Sequence, residues 1–179
     1  MVGGPARGVE TATVLAALPR DTWSVLPHAG WRRGSSTYAG HVVVGPSGVF
    51  VIEAKAWAGM VEVRDGVLRH DGRARATTIA DASDAAGAVA RILPFVPRDV
   101  VRGALCFERG EWLSVTAGAV LVCSTSSILE AVASSPVVLA PDEVRRVSLE
   151  LQLALRPPIA ISDVPVTRTP AQQRWVRTA

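Results

Sequence analysis

The sequence contains almost no lysine and very little cysteine. Eighteen of its nineteen basic residues are arginine, and Lys55 is the one lysine. The two cysteines, Cys106 and Cys123, both lie in apolar runs. Two cysteines in such positions exclude a disulfide framework and a cysteine-based metal cluster, and they predict reduced core residues of a cytoplasmic protein.

Targeting signals and long lipid-compatible segments are also lacking. The first residues show no charged segment followed by an apolar stretch, so we expect no signal peptide. A long uncharged window spans residues 112–129. Its serines and threonines favour a strand that leads into a helix cap over a helix that faces lipid. The sequence therefore predicts no membrane partner.

Acidic residues are missing from the C-terminal segment, where the net charge of +3 is concentrated. Three arginines follow residue 164, and the rest of the chain carries sixteen basic and sixteen acidic residues. A nearly neutral body gives no support for nucleic-acid binding through bulk charge, so any such contact must be local. Four prolines without clear periodicity predict a tail or linker over residues 157–179.

The pattern of residues 8–156 predicts one α/β domain. The runs "YAGHVVV" and "VFVIEAK" flank "GPSG" and predict an antiparallel hairpin, and a second hairpin is predicted across Asp65-Gly66. Apolar residues at helical spacing over residues 75–93 predict a crossover helix. We therefore expect the later strands, "VRGALCF" and "GAVLVCS", to run parallel in a mixed sheet, followed by helices.

The lysine stands two residues after Glu53, at the end of the apolar run "VFVI". Residues two apart on a strand share a face, so Glu53 and Lys55 are expected to project side by side. The carboxylate could hold Mg²⁺, and the ammonium could orient or deprotonate water beside a phosphate. Arginine does not release its proton, so it cannot replace such a lysine. The alternative is a surface ion pair, because a lone Glu-x-Lys has almost no specificity.

A second candidate lies in "HAGWRRGSST", which is predicted to be a loop. Arg32 and Arg33 beside Trp31 could grip phosphate and stack a base. A solvated loop anchored by the tryptophan is the alternative.

The segments "GVETATVLAALP", "GHVVVGPSGVFVIEAK" and "VEVRDGVLR" together resemble the nuclease-related domain, a branch of the PD-(D/E)xK nuclease superfamily. The resemblance covers residues 8–155 and is most specific over residues 40–55. It implies a restriction-endonuclease-like α/β sandwich, with a central mixed sheet flanked by helices. It also implies a metal-dependent nuclease that acts on DNA.

Carried over to this chain, the resemblance assigns catalysis to Glu53 and Lys55, and Mg²⁺ binding to Glu53 with Glu10 of the first helix. The family places an aspartate directly before the histidine of the first core strand. Here that histidine is His41 and the residue before it is Gly40. One metal-binding carboxylate is therefore missing, which predicts weak Mg²⁺ binding.

The helix after the second hairpin also lacks the glutamine that the family tends to place there. Asp81 or Asp84 could stand nearby.

Two hypotheses follow. The first is a degenerate nuclease that is weak or inactive. The second is a non-catalytic module on the same fold that binds nucleic acid or protein, with Glu53 and Lys55 as a relic or a structural ion pair.

Overall fold

The structure is a computed structural model that describes residues 10–33 and 36–155, without the side chains of residue 28 and residues 31–39. The helices are α1 (Thr11–Leu15), α2 (Ala76–Ala90), α3 (Ile128–Ala133) and α4 (Pro141–Ala154). The strands are β1 (Ser24–Arg33), β2 (Ser36–Gly45), β3 (Gly48–Lys55), β4 (Val61–Arg64), β5 (Val67–His70), β6 (Arg73–Ala74), β7 (Val101–Phe107), β8 (Ser114–Ala117) and β9 (Val120–Ser124). Within the described ranges, they form a six-stranded sheet in the order β1-β2-β3-β7-β9-β8 and a three-stranded sheet in the order β4-β5-β6.

The hairpin of β2 and β3 forms the centre of the larger sheet. Gly45 pairs with Gly48, so Pro46 and Ser47 make the turn between the strands. Gly48 has a φ of +120°, a conformation that favours glycine. β3 is buried from its start and becomes half-buried only over its last three residues. The predicted hairpin is confirmed.

The described residues of the segment that was predicted to be a loop are instead part of this sheet. β1 extends to Arg33 and β2 begins at Ser36, and these two residues pair across an antiparallel ladder. The loop prediction is therefore wrong. Trp31 and Tyr38 pair within this ladder, and aromatic residues suit strands as well as loops. Strand pairing also satisfies backbone groups that a loop would leave to water.

The later strands run as predicted. β7 is parallel to β3 and to β9, and α2 lies on the connection between β3 and β7. Gly103 allows this helix to approach β7 closely, because a Cβ at that position would lie 2.5 Å from the Ala82 carbonyl oxygen. The mixed sheet and its crossover helix are confirmed.

The predicted second hairpin is confirmed, but it belongs to a separate sheet. Asp65 and Gly66, with φ of 54° and 74°, form the turn between β4 and β5. β6 adds a third strand. This small sheet packs on the main one through Leu68, which lies in one apolar cluster with Leu105 and Phe107.

Helices cover the main sheet on both faces. α2 and α4 pack on one face, against residues that include Val49. α1 and α3 pack on the other face, against residues that include Phe50. We call these the α2 face and the α1 face. Because side chains alternate along β3, Glu53 and Lys55 lie in the same row as Val49 and project on the α2 face.

The uncharged window over residues 112–129 contains β8, β9 and the first residues of α3. β8 and β9 pair as an antiparallel hairpin, which the sequence analysis did not separate into two strands. Across residues 10–33 and 36–155, the structure contains no helix with the length and apolarity needed to span a bilayer. The predicted tail over residues 157–179 lies outside the described residues.

Candidate functional site

Glu53 and Lys55 meet at the carboxyl end of β3. The Lys55 ammonium donates to the Glu53 carboxylate and forms an ion pair with it. The lysine side chain is 21% exposed and the glutamate side chain 38% exposed. The pair is therefore partly enclosed by protein, but a ligand can still reach both groups. The structure brings the two side chains together as the strand periodicity predicts.

An aromatic and cationic cluster lies beside this ion pair. The Lys55 Nζ is 6.0 Å from the centre of the Trp57 ring, and the Arg75 guanidinium carbon is 5.4 Å from the centre of the same ring. His70 stacks on Trp57 at a centroid distance of 4.7 Å, and Phe107 packs against it at 5.3 Å. Two cationic groups thus lie near one indole ring, and one of them, Lys55, is paired with Glu53.

The small sheet holds Arg75 in this cluster. The Arg75 backbone N–H donates to the Leu68 carbonyl at 2.8 Å, and its Nη2 donates to His70 Nδ1 at 3.2 Å. His70 Nε2 therefore carries the ring proton, and it donates to the Ala58 carbonyl at 2.7 Å. The buried Arg75 Nε has no hydrogen-bond partner in the described part of the chain. One donor of this guanidinium thus remains unused.

The first helix reaches the same end of the sheet through Glu108, which directly follows β7. The Glu108 N–H donates to the Lys55 carbonyl at 3.0 Å. Its Oε1 accepts hydrogen bonds from the Thr11 N–H at 2.9 Å and the Thr11 hydroxyl at 3.1 Å. A carboxylate is favourable at the free amides of a helix start. Sequence reasoning missed Glu108, although its place after a predicted parallel strand was a usable signal.

Glu10 directly precedes α1, and its side chain is exposed. The helix that follows Glu10 packs on the α1 face, whereas Glu53 projects on the α2 face. Among residues 10–33 and 36–155, no three His, Cys, Asp or Glu side chains are grouped so that they could hold a metal. These residues fit Mg²⁺ poorly, because the Glu53 carboxylate is already paired with an ammonium. The joint metal role of Glu10 and Glu53 stays a prediction.

Gly40, where the resemblance predicts an aspartate, lies next to Glu53. His41 pairs with Ile52 across the ladder of β2 and β3, so the preceding residue, Gly40, comes opposite Glu53. Gly40 is buried, and a side chain there would project on the α2 face with Glu53. Position 40 therefore lies beside Glu53, and the catalytic aspartate that the resemblance expects there stays a prediction.

Arg32 and Arg33 stand in the last residues of β1 and not in a loop. Their side chains lie outside the described residues, so the predicted phosphate contact stays a prediction. Asp81 and Asp84 are exposed on α2.

The family model described as "Nuclease-related domain" matches residues 6–107, more than half of the chain. The further extent of the resemblance, to residue 155, stays a prediction. No curated protein and no solved structure gave a significant match. The matched segment contains α1, the β2–β3 hairpin and the Glu53–Lys55 pair on a mixed α/β sheet. On this match, the chain belongs to the nuclease-related domain family.

Proposed function

We propose that this domain retains the phosphodiester site of nuclease-related proteins in a weakened form. Glu53 and Lys55 remain at the carboxyl end of β3, while Gly40 supplies no carboxylate beside them. The observation that carries this proposal is the Glu53–Lys55 ion pair, which is partly exposed and lies opposite Gly40. The substrate class is nucleic acid, with DNA as the expected substrate.

Lys55 is the residue to which we assign the chemistry. Its ammonium is accessible, and charge-assisted hydrogen bonds to phosphate oxygens are among the stronger polar contacts. A protonated lysine offsets negative charge on an attacked phosphate, and a neutral one accepts a proton from water. Arg75 lies near the same indole ring and adds a second positive charge for a phosphate group.

Family membership suggests a dependence on divalent metal, which supplies Lewis-acid activation in such sites. The residues of this chain fit that ion poorly, because Glu53 is paired with Lys55 and position 40 carries no acid. Each lost charge-assisted contact weakens binding by about 1.5–3 kcal/mol, or roughly tenfold or more. We therefore propose that Mg²⁺ binds weakly and that cleavage is slow or lost.

The second candidate function is a non-catalytic module that binds nucleic acid or protein. In that case the ion pair is structural. The contact between the Lys55 ammonium and the Glu53 carboxylate favours this function, because each group neutralises the other. Arg75 would then supply the main positive charge of the binding surface.

A metal titration followed by a cleavage assay separates the two functions. Binding of Mg²⁺ and Mn²⁺ is measured by calorimetry, and nicking of supercoiled plasmid is then followed with each metal. Metal-dependent nicking that disappears in Lys55→Ala supports the weakened nuclease. If the wild-type protein shows neither metal binding nor nicking, the non-catalytic binding module is supported. A Lys55→Arg variant that still cleaves would show that this side chain acts through its charge and not as a base.

A further inference from the structure

A cavity of about 450 Å³ lies beside the candidate site, at the carboxyl ends of β7 and β9. Its walls include Met60, Glu62, Phe107, Arg109, Trp112 and Ser124. Phe107 joins it to the candidate site, because this residue pairs with Lys55 across the sheet and packs against Trp57. A cavity of this size accommodates a nucleoside-sized ligand.

Two large apolar side chains of the cavity wall are left open to solvent. Trp112 is 59% exposed and Met60 is 67% exposed. An indole offers a flat surface for base stacking, and a thioether is polarisable and adapts to aromatic ligands. Both side chains line one concave wall, so a ligand that enters the cavity can contact them.

The backbone that carries Trp112 is anchored to β9. The Leu113 N–H donates to the Ser124 hydroxyl at 3.1 Å, and the Ser124 N–H donates to the Leu113 carbonyl at 3.0 Å. Trp112 directly precedes this anchored residue. Stacking on its ring would therefore not require the connection after it to become ordered first.

Arg109 contributes an unused donor to the same cavity. Its buried Nε has no hydrogen-bond partner in the described residues, and a buried donor without a partner is unfavourable unless a ligand satisfies it. Of the two glutamates in the wall, Glu62 is paired with Arg64 at 3.4 Å. The other charged side chains of the cavity wall are Arg109 and Glu111, one of each sign. This balance suits a neutral ring with polar edges better than a phosphate group.

We propose that this cavity binds an unpaired nucleobase of a single-stranded nucleic acid whose neighbouring phosphate reaches Lys55. The proposal rests on the nucleic-acid function proposed above and adds the substrate class, a single strand or a frayed end. An intact duplex could place a base in the cavity only by unpairing it, which costs free energy.

The test is a binding assay in EDTA, so that metal-dependent cleavage plays no part. Fluorescence anisotropy follows a short labelled single strand and, separately, the same sequence as a duplex. We expect Trp112→Ala to weaken single-strand binding by about tenfold, as is typical for the loss of one stacking ring, and to leave duplex binding unchanged. Trp112→Phe should retain most of the affinity. Leu149→Ala is the matched control, because Leu149 is 58% exposed and lies on α4.

Equal single-strand affinities for the wild-type protein and Trp112→Ala would overturn the proposal, provided that circular dichroism shows both to be folded. An equal loss for single strand and duplex would overturn it as well, and so would an absence of single-strand binding by the wild-type protein. The result is independent of the cleavage assay. Trp112-dependent binding without any nicking would support the nucleobase cavity and refute the nuclease function. Lys55-dependent nicking without any role for Trp112 in binding would support the nuclease function and refute the nucleobase cavity.

Discussion

Placing a carboxylate at position 40 with Gly40→Asp should strengthen divalent-metal binding. Because His41 pairs with Ile52 across the ladder of β2 and β3, the preceding residue, Gly40, lies next to Glu53. An aspartate at this position would project on the same face of the sheet as Glu53. Two carboxylates would then share the space in which Glu53 alone now contacts Lys55.

The size of the effect follows from one added charge-assisted contact. Such a contact contributes about 1.5–3 kcal/mol, which corresponds to a Kd for Mn²⁺ or Mg²⁺ that is lower by roughly ten- to a hundredfold. Without metal, the variant should be less stable than the wild-type protein, because Gly40 is buried and the new carboxylate lies next to another one. Bound metal should recover that loss by mass action.

Calorimetric titration gives the metal Kd, and thermal unfolding with and without metal gives the linked stability. Gly40→Asn is the matched control, since it has nearly the shape of aspartate without its charge. We expect metal to raise the Tm of Gly40→Asp clearly more than that of Gly40→Asn or of the wild-type protein.

An unchanged metal Kd in folded Gly40→Asp would refute the placement of position 40 beside Glu53. An equal gain in metal affinity in Gly40→Asn would refute the argument that the added charge strengthens metal binding. Nicking of plasmid by Gly40→Asp, combined with none by the wild-type protein, would identify the glycine as the cause of a lost activity.

Three further predictions concern the elements that support the site. Gly103→Ala should lower the free energy of unfolding by about 1–3 kcal/mol, because the new Cβ would lie 2.5 Å from a backbone oxygen of α2. Gly87→Ala, on an open side of the same helix, should raise it by about 0.5–1 kcal/mol, and equal effects in urea unfolding would contradict the close packing. Glu108→Ala removes the two hydrogen bonds to the start of α1 and should weaken this attachment by about 1.5 kcal/mol, seen as faster amide exchange in α1. Unchanged exchange would mean that other contacts hold the helix. A hydrogen bond with the Cys106 thiol, together with burial, raises the pKa of Cys123 above its ordinary value of 9.0. Above pH 9.0 the unfolded chain therefore loses a proton that the native Cys123 keeps, so the free energy of unfolding should fall with rising pH. Replacing both thiols of the pair, Cys106→Ala with Cys123→Ala, should make that fall shallower. Identical pH profiles for the wild-type protein and this double variant would argue against a raised pKa.

Several features of the fold could be predicted because they depend on residues close in sequence. "GPSG" and Asp65-Gly66 both mark turns, and each joins a pair of antiparallel strands. The apolar spacing before Pro94 gave the position of α2. Alternation along one strand was enough to place Glu53 and Lys55 on a shared face.

Other features depend on contacts that no local pattern reports. The ladder of β1 and β2 includes residues 29–33 and 36–37, because two strands satisfy each other's backbone groups, and the composition of a single strand does not show this. The bond between Thr11 and Glu108 joins residues that are 97 positions apart. Sequence spacing alone does not place Trp57, His70 and Arg75 in one cluster, because their meeting requires the small sheet to pack on the main one.

The sequence alone determined that one acid and one amine share a strand face, and that the acid expected beside them is replaced by glycine. The first statement needs only the two-residue period of a β-strand, whereas the second is a prediction that also needs the resemblance to the nuclease-related domain. The tertiary structure decided what surrounds that pair: Trp57 and Arg75 on one side, the Glu108 link to α1 on another, and the cavity below Trp112. These neighbours come from different elements, and their positions are set by how the helices and the two sheets pack.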